Sequence, residues 1–136
     1  MVKETDFRLS NLVEYNGMVM GVSGISSPKP YKDEKYAHKY IFELFDGAGL
    51  INCTLDEIKP IPLTEEWLIK FGFKTSEKQW NTFSRSHYYL CEKDELCFKL
   101  HETKNIFYMH KYEHIKFVHQ LQNLYFALID KELTLK

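Results

Sequence analysis

Histidine and cysteine side chains are the groups of this sequence best able to bind a metal or act as nucleophiles, and it holds six histidines and three cysteines. His110, His114 and His119 come closest to a ligand pattern. A zinc site needs three or four converging ligands, yet the sequence has neither a His-Glu-x-x-His nor a Cys-x-x-Cys motif. We therefore expect structural or surface histidines, no metal and no cofactor.

Nucleophile motifs are equally weak. Ser23 lies in Gly21-Val-Ser-Gly24, which lacks the Gly-x-Ser-x-Gly spacing of a nucleophile elbow. Cys91 and Cys97 lie in a strand pattern, which favours inert packing over reactivity. The carboxylates near predicted turns are scattered, and solvation explains them: Asp46, Asp56 and Glu57. The sequence thus predicts no catalytic residue and no enzymatic activity.

The composition is that of an ordinary globular domain, with 136 residues, 44% hydrophobic and 27% charged. The net charge is −1 and Arg8 and Arg85 are the only arginines, a balance that disfavours a nucleic-acid binder. No secretory signal and no run of 18 apolar residues is found, and the cysteine number is odd. We therefore expect a reduced cytoplasmic protein with no membrane partner.

The elements begin with a β-hairpin. Asn16-Gly17 joins Leu9–Tyr15 to Met18–Ile25, because a type I′ turn needs positive φ at both central residues. This turn sets Val13 opposite Met20. The face expected to meet the core carries six apolar residues: Leu9, Val13, Tyr15, Met18, Met20 and Val22.

Further short strands follow. Ser26–Ala37 is polar and contains prolines, so it is predicted as a long surface loop. Strands are then expected over His38–Phe45 and Leu50–Leu55, whereas the prolines of Ile58–Leu63 exclude a central strand there. The order of elements predicts one α+β domain with a mostly antiparallel sheet, one short middle helix and one longer C-terminal helix. Residues 1–60 would form a curled sheet or partial small barrel, and residues 61–136 a helix, a meander and the last helix.

The middle helix has well-defined ends. Thr64 is a good N-cap residue, and Gly72 has the position of a C′ glycine. In the meander that follows, His87–Glu92 is predicted to pair with Leu96–His101 across a three-residue turn, which makes Cys91 and Cys97 cross-strand neighbours. A third strand is predicted at residues 105–110.

The last helix, predicted over His114–Ile129, has an unusual pattern. Its inward stripe is expected to comprise Phe117, Leu121, Leu124 and Leu128. No charged residue lies between Phe117 and Ile129. The face across from the stripe carries four candidate interface residues: His119, Gln120, Asn123 and Phe126. Either this face is buried against residues 80–83 or it meets another chain, and a homodimer is the favoured form of such a contact.

Three segments of the chain resemble a group of small uncharacterised proteins that are widespread in phages and mobile elements of Bacteroidetes. They are Arg8-Leu-Ser-Asn-Leu-Val13, Ile61-Pro-Leu-Thr-Glu-Glu-Trp-Leu-Ile-Lys-Phe-Gly-Phe73 and Val118-His-Gln-Leu-Gln-Asn-Leu-Tyr-Phe-Ala-Leu128. The resemblance implies an accessory protein encoded by a phage or mobile element. It transfers no catalytic residue, because the group has no assigned biochemical role.

Two functional classes follow. The first is a protein-interaction module that docks through the last helix and its neighbours. The alternative is a nucleic-acid-associated accessory protein, in which aromatic and basic side chains of the N-terminal sheet contact a strand. The residues that would do so are Tyr31, Lys32, Lys35, Tyr36, Lys39 and Tyr40. Asp33 and Glu34 interrupt these lysines, so the charge pattern favours the interaction module.

Overall fold

The computed structural model describes residues 3–82, 85–94, 96–101, 107–108 and 115–135. In this part of the chain the predicted α+β fold is confirmed, with antiparallel sheets and two α-helices, the C-terminal one being longer. Two compact units are distinguished, Met1–Ile61 and Pro62–Lys136. Their boundary falls one residue from that of the predicted subregions.

The first unit contains a four-stranded antiparallel sheet in the order β1-β2-β3-β4. Its strands are β1 (Leu12–Tyr15), β2 (Met18–Ser26), β3 (Ile41–Phe45) and β4 (Leu50–Thr54). Lys59 returns to the outer edge of β1, where it exchanges two backbone hydrogen bonds of 2.9 Å with Glu14. The described strands form no closed barrel, which is compatible with the predicted curled or partial form.

The Asn16-Gly17 hairpin forms as predicted, with Val13 opposite Met20. Asn16 has φ of 49° and Gly17 has φ of 78°, the positive values that a type I′ turn requires. Val13, Met20 and Val22 are buried on one face of the sheet. A local signal in the sequence therefore determined both the turn and the register.

Two residues of the predicted core face are exposed. Leu9 and Met18 each keep 51% of their surface accessible. Ser10 adopts a positive φ of 77° and donates its N–H to the carbonyl of Val22, so the strand begins at Leu12 and does not extend to Leu9. Met18 directly follows the turn, at the end of the sheet. The alternation of apolar residues assigned both side chains to the core face, but neither lies in the part of the strands that the core covers.

The core of the first unit lies on the other side of the sheet from Leu50 and Phe45. Its buried members are Phe7, Val13, Met20, Val22, Phe42, Leu44, Cys53 and Ile58. The rings of Phe7 and Phe42 meet edge to face, with centroids 5.8 Å apart and planes at 82°. The predicted long loop is present between β2 and β3, and β3 begins at Ile41.

The second unit contains two helices and a five-stranded antiparallel sheet in which β5 and β6 both pair with β7, followed by β8 and β9. The elements are α1 (Glu65–Lys70), β5 (Lys74–Thr75), β6 (Gln79–Asn81), β7 (Ser86–Lys93), β8 (Leu96–His101), β9 (Phe107–Tyr108) and α2 (Val118–Ile129). The third predicted strand thus contains β9, while its other residues lie outside the described part of the chain. Trp80 on β6 is about half exposed.

The predicted register of the meander is wrong by one residue. Cys91 lies opposite Phe98, so Cys91 and Cys97 occupy opposite faces of the sheet and are not cross-strand neighbours. The cause is the turn after Lys93, which has two residues instead of three and holds Asp94 at a φ of 55°. Cys91 is buried, whereas Cys97 is exposed.

Helix α1 has the predicted ends. The hydroxyl oxygen of Thr64 accepts the N–H of Trp67 at 3.3 Å. Gly72 has φ of 89°, and the N–H of Phe73 donates to the carbonyl of Leu68 at 3.0 Å. This is the hydrogen bond of a Schellman closure, in which glycine avoids the strain of a left-handed conformation.

Removing either cap of α1 should destabilise the second unit. We expect Thr64→Ala to lower the free energy of unfolding by about 1 kcal/mol, because the N–H of Trp67 loses its acceptor. Gly72→Ala should also destabilise, since alanine is strained at positive φ. Urea unfolding measures both, with Thr134→Ala as the control at an exposed threonine outside the helices. Unchanged midpoints in both cap variants would contradict this account of the helix.

Candidate functional site

Helix α2 starts at Val118, four residues after the predicted start at His114, which lies outside the described residues. Phe117 precedes the helix as its N-cap residue. The side chain of Gln120 secures this start, because its Oε1 accepts the N–H groups of Lys116 at 2.8 Å and Phe117 at 3.0 Å. The amide of Gln120 therefore has a structural role at the helix end.

The inward side of α2 differs from the predicted stripe. The buried residues of the helix are Val118, His119, Leu121, Gln122 and Tyr125. Leu121 is fully covered as predicted, but Leu124 is half-buried and Leu128 is 49% exposed. The buried side is rotated by about one residue position, towards Tyr125, whose hydroxyl group is hydrogen-bonded to Asp94.

The four candidate interface residues occupy different environments. His119 is 3% exposed, and its ring stacks on that of Phe117 with centroids 5.9 Å apart. Gln120 belongs to the helix cap, as described above. Asn123 and Phe126 are half-buried. The uncharged character of this face is therefore explained in part by burial and capping within the second unit.

The outward side of α2 is uncharged as well. We define the α2 surface as the five residues Gln120, Asn123, Leu124, Ala127 and Leu128, all of which are half-buried or exposed. Leu124 and Leu128 are four residues apart, so their side chains lie one above the other along the helix. Over three turns the helix thus presents two leucines, an alanine and two amides to its surroundings.

A polar cluster joins α2 to the β7–β8 turn. The hydroxyl of Tyr125 donates to Oδ2 of Asp94 at 2.5 Å, and this hydrogen bond raises the pKa of Tyr125 to about 12. Nζ of Lys93 donates to the carbonyl of Phe71 at 2.7 Å and lies 5.6 Å from the centre of the Tyr125 ring. A phenol with so high a pKa stays protonated at neutral pH and is no general base. We interpret the cluster as an anchor, which the sequence did not reveal because its members are distant along the chain.

A shallow cleft of about 420 Å³ adjoins this cluster, lined by Gly72, Lys74, Glu92, Lys93 and Asp94. Lys74 lies directly opposite Glu92 across the β5–β7 pair. The lining therefore contains neighbouring charges of both signs, which offset one another. Among the described residues no group of three or more His, Cys, Asp or Glu side chains could hold a metal ion.

The residues of the nucleic-acid alternative lie on the loop between β2 and β3 and at its end. Nζ of Lys35 is 3.3 Å from Oε1 of Glu57 and 5.3 Å from the centre of the Tyr36 ring. Tyr40 packs against the core of the first unit. The remaining three are exposed: Tyr31, Lys32 and Lys39. Three of the six side chains, Lys35, Tyr36 and Tyr40, therefore have contacts within the unit.

Glu57 links this loop to the end of β4. Its Oε1 also accepts the N–H of Thr54 at 3.1 Å. Burial raises the pKa of Glu57, but the hydrogen bonds from Thr54 and Lys35 outweigh it, so the pKa lies below its ordinary value of 4.5. A carboxylate with a lowered pKa stabilises the fold above its unfolded pKa, and that contribution is lost as the pH falls through the folded value.

This linkage predicts an acid-dependent effect of Glu57→Gln. The variant should be less stable than wild type at neutral pH, and the difference should shrink as the pH falls from the ordinary pKa of 4.5 through the lower pKa of the folded carboxylate. Urea midpoints measured between pH 3 and 7 test this. Glu34→Gln, at an exposed glutamate in the same loop, is the control. A difference that does not change with pH would contradict the proposed role of the carboxylate.

The buried cysteines have raised pKa values. Burial raises the pKa of the Cys53 thiol and that of the Cys91 thiol to about 11 each. Both groups are therefore thiols at neutral pH and poor nucleophiles. Cys97 is exposed on β8.

No protein-family model, curated protein or solved structure matches this chain. Neither described helix has the length and apolar character that crossing a membrane requires.

Proposed function

We propose that this chain is a non-enzymatic protein-interaction module, an accessory protein of phage or mobile-element origin, and that it docks through the α2 surface. The observation that carries the proposal is the absence of charge from the twelve residues of α2, together with the exposure of Leu128. The origin rests on the resemblance of the three sequence segments given above.

The α2 surface has the composition of a contact rather than of a solvated face. Helices that face water usually carry charged residues there, which keep the surface soluble. Leu124 and Leu128, spaced by four residues, have the arrangement of two anchors that enter an apolar groove. Ala127 beside them is small enough to allow a close approach.

The chemistry of this surface defines the kind of partner. Two leucines favour an apolar groove or helix, and the uncharged character of the whole surface favours uncharged groups at its margin. A strongly charged partner would leave its charges unpaired against the α2 surface, which costs binding energy. We therefore expect a protein partner and neither an anionic polymer nor an anionic surface.

Of the residues of the nucleic-acid alternative, Tyr31, Lys32, Lys35 and Lys39 are exposed on the β2–β3 loop. A single-strand binder combines a basic groove with aromatic platforms. Here Lys35 is paired with Glu57, which lowers the local positive charge. The alternative is therefore the second of the two proposals.

Co-purification separates the two functions. The tagged protein would be recovered from cells that carry its gene, with and without nuclease treatment, and both protein and nucleic acid would be analysed. We expect a protein partner that survives nuclease. Recovery of nucleic acid alone, lost at high salt as phosphate contacts require, would overturn the interaction-module proposal.

A further inference from the structure

The two edges of the sheet in the first unit are protected to different degrees. At the β1 edge, Glu14 exchanges two backbone hydrogen bonds with Lys59, and Pro60 follows. Strand β4 forms the other edge, and among the described residues no strand pairs with it on that side. Its sequence, Leu-Ile-Asn-Cys-Thr, contains neither a charge nor a proline, the residues that usually blunt an exposed edge.

Hydrogen bonding shows which backbone groups of β4 face outward. Residue pairs in an antiparallel ladder alternate between hydrogen-bonded and non-hydrogen-bonded. Beyond the end of the β3–β4 ladder, Asp46 donates its N–H to the carbonyl of Gly49, which marks a hydrogen-bonded pair. At the other end the N–H of Thr54 donates to Glu57 instead of to β3, which marks a non-hydrogen-bonded pair.

Both ends of the ladder give the same alternation. Ile51 and Cys53 bond to β3, whereas Leu50, Asn52 and Thr54 turn their backbone N–H and C=O groups away from it. Glu57 already occupies the N–H of Thr54. Leu50 and Asn52 are exposed and together present two donors and two acceptors at the open edge.

We propose that a second copy of this chain pairs antiparallel with β4, with the two-fold axis at Ile51. In that register Leu50 of each copy exchanges two hydrogen bonds with Asn52 of the other, so four bonds use every open group of the two residues. The Thr54–Glu57 bond is left intact. An axis at Asn52 would instead place Leu50 opposite Thr54, whose N–H is already occupied.

Charge and symmetry favour a second copy as the occupant. A strand without charge meets no like-charge repulsion from a copy of itself. The edge of each copy has as many N–H donors as C=O acceptors. A two-fold axis, the commonest symmetry of protein oligomers, therefore lets each donor meet an acceptor of the other copy. Ile51 of one copy would face Ile51 of the other, an apolar β-branched pair. This contact uses a surface in the first unit and can fail or hold independently of docking through α2.

Cysteine cross-linking tests the register. In the proposed dimer the two residues at position 51 form a non-hydrogen-bonded pair with Cα atoms about 4.5 Å apart, within the range of a disulfide. Ile51→Cys combined with Cys97→Ser, which removes the exposed native thiol, should form a covalent dimer under mild oxidation. Val19→Cys in the same background places an exposed cysteine on β2 and controls for random collision; it should stay monomeric on a non-reducing gel.

Light scattering of the unmodified chain provides the second readout. We expect a mass that rises with concentration towards that of a dimer, and Asn52→Pro should abolish the rise, because proline removes the outward N–H and is tolerated at an edge. A thermal melt verifies that the variant is folded. A wild type that stays monomeric, or equal cross-linking of the two cysteine variants, would overturn the proposal. If the protein is a monomer, an extended segment of another protein would be the remaining candidate to pair with β4.

Discussion

Leu121→Ala is expected to lower the free energy of unfolding by about 2–5 kcal/mol, because it deletes a fully buried side chain from the inward side of α2. The loss combines the transfer free energy of the removed atoms with the cavity that remains. Leu128→Ala, which removes the same atoms from a half-exposed site, is the matched control and should have a much smaller effect. Urea or thermal unfolding of the two variants gives the comparison.

The same pair of variants distinguishes the observed buried side of α2 from the predicted inward stripe. The stripe placed Leu121, Leu124 and Leu128 equally inward, so it predicts similar losses at all three positions. The structure instead predicts that the loss falls from Leu121 through Leu124 to Leu128, in the order of their burial. Equal losses at Leu121 and Leu128 would contradict the orientation of α2.

Phe42→Ala should have the largest effect in the first unit. Phe42 is fully buried and meets Phe7 edge to face, so its removal should lower the free energy of unfolding by about 3–5 kcal/mol. Phe45→Ala is the matched control on the same strand, since Phe45 is 47% exposed on the other face of the sheet. Chemical denaturation followed by circular dichroism measures both, and a loss at Phe45 as large as that at Phe42 would reverse the assignment of the two faces.

Local signals in the sequence predicted the parts of the fold that depend on a few neighbouring residues. Asn16-Gly17 requires positive φ and so determines its turn and register. Thr64 and Gly72 supply the hydrogen bond and the left-handed conformation that bound α1. In each case the residue type constrains the backbone directly, with no contribution from distant contacts.

Features of the fold that depend on contacts between distant residues could not be predicted from such local signals. The meander register changed because Asp94 takes a left-handed conformation that shortens the turn by one residue. The buried side of α2 includes Tyr125, whose hydroxyl group is hydrogen-bonded to Asp94, 31 residues away along the chain. A periodic pattern identifies the helix but does not determine which of two adjacent stripes is covered.

The sequence predicted the uncharged character of the candidate site, but not which of its residues are buried. The absence of charge from α2 is visible in the sequence, and it is the reason why this helix was chosen as the candidate site. The burial of His119 and the capping role of Gln120 depend on where the helix begins, which periodicity does not specify. The open edge of β4 likewise becomes apparent only when the partners of each strand are known.

The central claim, that the α2 surface binds a protein partner, is tested most directly by comparing three tagged baits in the same cells. These are wild type, Leu124→Lys/Leu128→Lys and Leu135→Lys, the last placing a charge at a leucine of equal exposure outside the helix. The account predicts that the partner recovered by wild type is retained by Leu135→Lys and lost by the double variant, with the unfolding midpoints of both variants close to that of wild type. Recovery of the same partner in equal amount by the folded double variant would contradict it.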